Sequence, residues 1–119
     1  MTINDFLAQF ISASLEKEGY KLSPIEVELL YLFGTQNKPL EADEISRMNE
    51  NINPETINQL LEDMEKKKLI IQGSSYELDE EGKKVFKICT KIQIDIEPVI
   101  KTNPYYNNLY KTSSTAIKM

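Results

Sequence analysis

Histidine and tryptophan are absent from the 119 residues, cysteine and arginine occur once each, and glycine occurs four times. Without histidine, and with a single cysteine, the chain can assemble no Ser–His or Cys–His catalytic pair and none of the usual zinc ligand sets. One cysteine also excludes an intramolecular disulfide. The four glycines form neither a GxxxxGK[ST] nor a GxGxxG phosphate loop. No apolar run approaches the ~20 residues of a membrane-spanning helix, and no secretory leader pattern opens the sequence. These absences point away from an enzyme, a metal, a cofactor and a membrane. They point toward a cytoplasmic protein that works by binding.

What is present is acidic and unevenly spread. The formal net charge is −5, with −6 on residues 1–70 and +1 on residues 71–119. An acidic body disfavours non-specific contact with nucleic acid, which is driven by neutralising phosphates, so any such contact depends on local patches.

Punctuation and periodicity predict mostly helices. From Thr2 to Lys17, the apolar residues Ile3, Phe6, Leu7, Phe10, Ile11 and Leu15 recur at spacings of three and four, with Gly19 just past the end. Ser23-Pro24 with Glu26 three residues on is a capping box with proline in the first turn. The helix it starts is apolar on more than one side and is expected at the centre of the core. Glu41–Asn49 turns Ile45 and Met48 inward. Asn53-Pro54 starts another helix, with Ile57, Leu60, Leu61 and Met64 as its buried stripe. Lys66-Lys67-Lys68 suits the negative end of that helix.

Leu69-Ile70-Ile71 and Tyr76-Glu77-Leu78 read as two short strands around Gln72–Ser75. Asp79 then caps a long helix carrying Val85, Ile88, Cys89, Ile92, Ile96 and Val99, expected to run from about Glu80 to the residue before Pro98 or to kink past it. Lys101–Met119 has no strong period and reads as a short docked segment with a frayed end, in which Asn103-Pro104-Tyr105-Tyr106 is a chance turn. The expected core is Leu29, Leu30, Phe33, Ile45, Ile57, Leu60, Leu61, Met64, Ile71 and Leu78, and Cys89 is expected to be a small buried hydrophobe.

The order of these elements, carried by three runs, resembles the winged-helix domain of MarR- and PadR-type transcription regulators. Pro39–Met48 resembles the short helix before the recognition helix. Thr56–Ile70 resembles the recognition helix running into the first wing strand. Tyr76–Lys83 resembles the second wing strand turning into the next helix. The likeness covers roughly residues 23–91. It implies a mainly α fold with a small β-hairpin wing, a winged helix-turn-helix with long terminal helices. Residues 1–101 would form that domain, its core at about 23–91, and residues 102–119 a C-terminal tail.

As the resemblance implies, the partner is double-stranded DNA. Thr56, Asn58 and Gln59 would face bases, Asn53 would stand at the helix start, and Arg47 and Lys38 would hold the backbone. Terminal helices would form a homodimer interface through Phe6, Phe10, Ile11, Ile88, Ile92 and Ile96. The chain departs from the pattern in three places. Acids Glu55, Glu62 and Asp63 share the recognition helix, the wing turn is uncharged, and Lys68 stands where the family often has glycine. These departures keep open a second reading, an acidic winged-helix module that binds another protein or mimics nucleic acid. Lysines ringing the recognition helix would favour DNA, and an unbroken acidic surface would favour a protein.

Overall fold

The computed structural model describes residues 3–115 and 117. Six helices and one hairpin follow in the order α1 (Asp5–Lys17), α2 (Pro24–Gln36), α3 (Ala42–Met48), α4 (Pro54–Lys66), β1 (Ile70–Gln72), β2 (Tyr76–Leu78), α5 (Glu80–Thr102) and α6 (Pro104–Thr112). The predicted fold class holds, and most helix starts lie where their capping residues place them. The Asn4 side chain accepts from the Leu7 N–H, and Ser23 and Glu26 close a reciprocal capping box. The Asn53 and Asp79 side chains cap α4 and α5. Thr2, expected to open the first helix, lies outside the described residues.

Helix α2 is the hub. Val27, Leu29, Leu30, Tyr31 and Leu32 are fully buried, as its all-round apolar character demands. Tyr31 is tolerated there because its hydroxyl donates to the buried Gln93 Oε1 on α5 at 2.8 Å. Burial, with Cys89 and Glu97 nearby, holds that phenol protonated far above its ordinary range. Cys89 is buried as expected, and desolvation pushes its thiol up to about 12.

The hairpin pairs Ile70 with Leu78 and Gln72 with Tyr76, and Leu40 bridges Tyr76 to add a third edge. Ile71 does not join the core. Ile70 is buried, so the period-2 pleat turns Ile71 outward, where it is 49% exposed. At the junction before the hairpin, Lys68 adopts φ 62. Left-handed backbone disfavours a residue with a Cβ, so Lys68→Gly is expected to stabilise the fold by about 0.5–1 kcal/mol, after allowing for the greater freedom of glycine in the unfolded chain. A thermal melt tests this, and the expected rise is about 2–5 °C.

At the C-terminal end, α5 takes the second of its two expected courses and runs past Pro98 to Thr102, and one expectation is corrected. The residues after it form a helix, α6, with Asn103 as N-cap and Pro104 in its first turn, so that run is a helix start. Tyr106 packs against Phe6 and Phe10 at ring-centre distances of 6.2 and 5.8 Å. Of the stretch expected to fray, Ser114 accepts from the Asp5 N–H at 2.8 Å and Ile117 is fully buried; the remainder of that expectation, at residues 116, 118 and 119, lies outside the described residues.

The terminal apolar stripes pack largely on the chain's own core. Ile11 is completely buried in the chain's own core, and Phe6, Phe10, Ile88, Ile92 and Ile96 are half-buried against it. Ile11 therefore has no surface to offer a partner.

Candidate nucleic-acid interface

The site is built on α4. Its apolar residues Ile57, Leu61 and Met64 are buried and Leu60 is half-buried. This packing fixes the rotation of the helix and turns Thr56, Asn58 and Gln59 to solvent. The Asn53 side-chain oxygen is occupied by the cap, accepting from the Glu55 N–H at 2.8 Å. Asn53 therefore positions the start of α4, and its amide N–H groups are the part able to reach outward. The Gln59 amide donates to Asp63 Oδ1 one turn on at 3.1 Å, which holds its carbonyl oxygen and second N–H toward solvent.

The preceding helix α3 joins α4 through a tight turn in which the Ile52 N–H donates to the Asn49 carbonyl and the Asn49 amide returns to Ile45. Arg47 is exposed on the last turn of α3. Lys38 is exposed beyond the left-handed Asn37 that ends α2.

Two lysines of the triplet are engaged by carboxylates, and Lys68 is exposed. Lys67 reaches across 41 residues to both oxygens of the nearly buried Glu26, at 2.8 and 2.9 Å. Lys66 lies 3.6 Å from Glu62. Glu26 was visible in the sequence only as a capping residue; its pairing with Lys67 is set by the fold. In the wing, the Gly73 N–H donates to the Ser75 carbonyl and the turn carries no charge. The Tyr76 phenol, at the turn end of the hairpin, is held above its ordinary range by burial and then by the α4 carboxylates Glu65 and Glu62. The resulting surface is a polar edge flanked by acids, with Arg47 and Lys38 as exposed cations on neighbouring elements.

No protein-family profile and no curated protein matches the sequence. Solved structures do. The MarR family protein Rv2887 of Mycobacterium tuberculosis matches at 20% identity and a TM-score of 0.61, over 88% of this chain and 80% of that one. A structure of the same protein in complex with DNA matches at 20% identity and a TM-score of 0.60, over 89% and 83%. MepR, a transcription regulator of the Staphylococcus aureus multidrug efflux pump MepA, matches at 22% identity and a TM-score of 0.63, over 88% and 82%. These likenesses establish the winged helix-turn-helix fold of MarR-type regulators.

Proposed function

We propose that the chain is a DNA-binding transcription regulator, acting in the cytoplasm by binding rather than catalysis. The observation that carries this reading is the geometry of α4. Its buried stripe presents Thr56, Asn58 and Gln59 together at the exposed N-terminal half of the second helix of a helix-turn-helix, the part that enters a major groove in such motifs. One structural neighbour is solved in complex with DNA. Asn58 and Gln59 read adenine edges, and Thr56 contacts a phosphate or a thymine methyl. Arg47 and Lys38 hold the backbone.

A two-fold dimer presents two such helices to grooves about 34 Å apart. Its interface is formed by α5 and α6, because among the described residues five of the six large exposed apolar side chains lie between Ile94 and Leu109, and concentrated apolar exposure marks association sites. Phe6 and Phe10 pack on Tyr106 of α6, and the half-buried Ile88, Ile92 and Ile96 add the remaining apolar area of α5 to that interface.

Alanine substitution separates these roles. Gln59→Ala should reduce discrimination between the best duplex and a scrambled one by about 1–3 kcal/mol. Arg47→Ala should weaken both duplexes together and flatten the salt slope by about one unit. Competition binding at two salt concentrations checks both outcomes.

The second reading, an acidic module for a basic protein, is favoured by the exposure of Glu55 and Glu62 on α4 and by the loss of Lys67 to Glu26. It predicts that Glu62→Lys abolishes the partner. The DNA reading predicts that the same change strengthens non-specific binding.

A further inference from the structure

The exposed face of α5 is divided. Lys83, Lys84, Lys87 and Lys91 occupy its first half and are all exposed, whereas the exposed apolar residues Ile94 and Val99 begin beyond them. Lys83, Lys87 and Lys91 recur every four residues, so they form one row that drifts only about 40° per step. Lys38, just after α2, joins the near end of the row, because it lines the same recess as Lys83, Lys84 and Lys87. The exposed acids beside the row are Glu77, Glu80 and Asp95. Five lysines against three acids leave a surplus of two positive charges in a chain of net charge −5. Among the described residues none of the five lysines is ion-paired. Like charges four residues apart cost a helix stability, and a bound polyanion relieves that repulsion.

The length of the row selects the partner. From Lys83 to Lys91 it rises about 12 Å along the helix axis, too far for a single phosphate or carboxylate to neutralise. An anion that repeats is required, and each strand of a duplex carries one phosphate per about 3.4 Å. An acidic protein suits the row less. Protein interfaces are centred on apolar and aromatic side chains and are depleted in lysine, and the large exposed apolar residues of α5 all lie beyond Lys91. The row also starts beside the elements that flank α4. Lys38 precedes α3, and α5 is tied to the hairpin where the Asp79 N–H donates to the Leu69 carbonyl at 3.0 Å.

We propose that this row is a second, sequence-independent DNA contact, with Lys83, Lys84, Lys87 and Lys91 lying along the phosphate backbone outside the segment that α4 reads. The inference rests on the nucleic-acid reading of α4 for its partner. Its contribution is different, because phosphate contacts supply affinity and register rather than sequence preference. The row gives an acidic chain the local positive patch that a polyanion needs.

Anisotropy titrations over a series of salt concentrations, with the best selected duplex and a scrambled one, compare wild type with Lys83→Gln/Lys87→Gln/Lys91→Gln. All three lysines are exposed, and removing like charges from one row should leave the melting temperature unchanged or higher. The expected result is a salt slope flatter by about 2–3 units, with at least about a tenfold loss of affinity for both duplexes and an unchanged ratio between them. Lys83→Arg/Lys87→Arg/Lys91→Arg should keep the wild-type slope. Polyglutamate at equal charge concentration should compete at least about tenfold less well than the scrambled duplex. The proposal alone is overturned if the folded glutamine variant keeps the wild-type slope, if the ratio between duplexes collapses with it, or if polyglutamate competes equally. A wild type that binds no duplex at low salt overturns both this contact and the α4 reading. Binding that depends on the row but shows no preference between duplexes upholds the row and overturns the α4 reading.

Discussion

Glutamate at both Ile94 and Val99 should leave the protein folded and make it monomeric. Ile94 is 64% and Val99 65% exposed, so the isolated subunit loses little when either changes. At 3.6 residues per turn the two lie about 140° apart around α5, and together they span its outer side. In a dimer closed over α5 and α6, each aliphatic residue contributes about 1.5–3 kcal/mol when buried, and each new carboxylate would lose water without a partner. An assembly stable at micromolar concentration should dissociate, and affinity for a duplex with two half-sites should fall at least about a hundredfold, or roughly 2.7 kcal/mol. Sedimentation equilibrium of wild type and variant measures the mass. A wild type monomeric at micromolar concentration would remove the dimer from the account. The half-buried Ile92 is a poorer probe, because a charge there also disturbs the core.

Gly82→Ala should be among the most damaging single-methyl additions in the chain. Gly82 is buried in the first turn of α5, and a Cβ there would be 1.9 Å from the Leu69 carbonyl oxygen, a backbone atom. That same carbonyl accepts the Asp79 N–H at 3.0 Å, so it cannot move away without losing the bond that ties the wing to α5. Overpacking of this kind costs typically 1–3 kcal/mol and occasionally more, while the gain in helix propensity from alanine offsets about 1 kcal/mol. The clash is with a pinned backbone atom, so the cost lies at the top of that range, and a net loss of about 2 kcal/mol lowers the melting temperature by roughly 6 °C. A melt within about 2 °C of wild type would show that α5 and the hairpin are not locked at this point.

Much of the fold was legible because its signals are local. Ser23-Pro24 with Glu26, and Asn53-Pro54 before the Ile57–Met64 stripe, place α2 and α4 without reference to the rest of the chain. The same signal was present at Asn103-Pro104 but lacked a supporting aliphatic stripe. Tyr105, Tyr106, Leu109 and Tyr110 leave α6 with no fully buried residue, so periodicity gave no warning of a helix that docks through aromatic edges. The choice between stopping at Pro98 and passing it was open for the converse reason. Ile100 beyond it is buried, and that packing offsets the lost backbone bond and steric cost of proline inside a helix.

Placement of charge in the site was the least legible part. Nothing near Lys67 in the sequence pairs it with Glu26, and nothing near Lys38 groups it with the α5 lysines, because both groupings are made by tertiary folding across about forty residues or more. The exposed face of α4 was legible, since a helix with a strict apolar stripe leaves only one side for Thr56, Asn58 and Gln59.

The central claim is that α4 reads DNA. Selection of binding sites from randomised duplexes, followed by anisotropy titration of the best and a scrambled duplex at low and physiological salt, tests it most directly. The account predicts enrichment of an adenine-containing two-fold site that binds at least about a thousandfold tighter than the scrambled duplex at physiological salt, with Gln59→Ala narrowing that gap. Absence of enrichment, with no binding of either duplex at low salt by wild type or by Glu62→Lys, would contradict it.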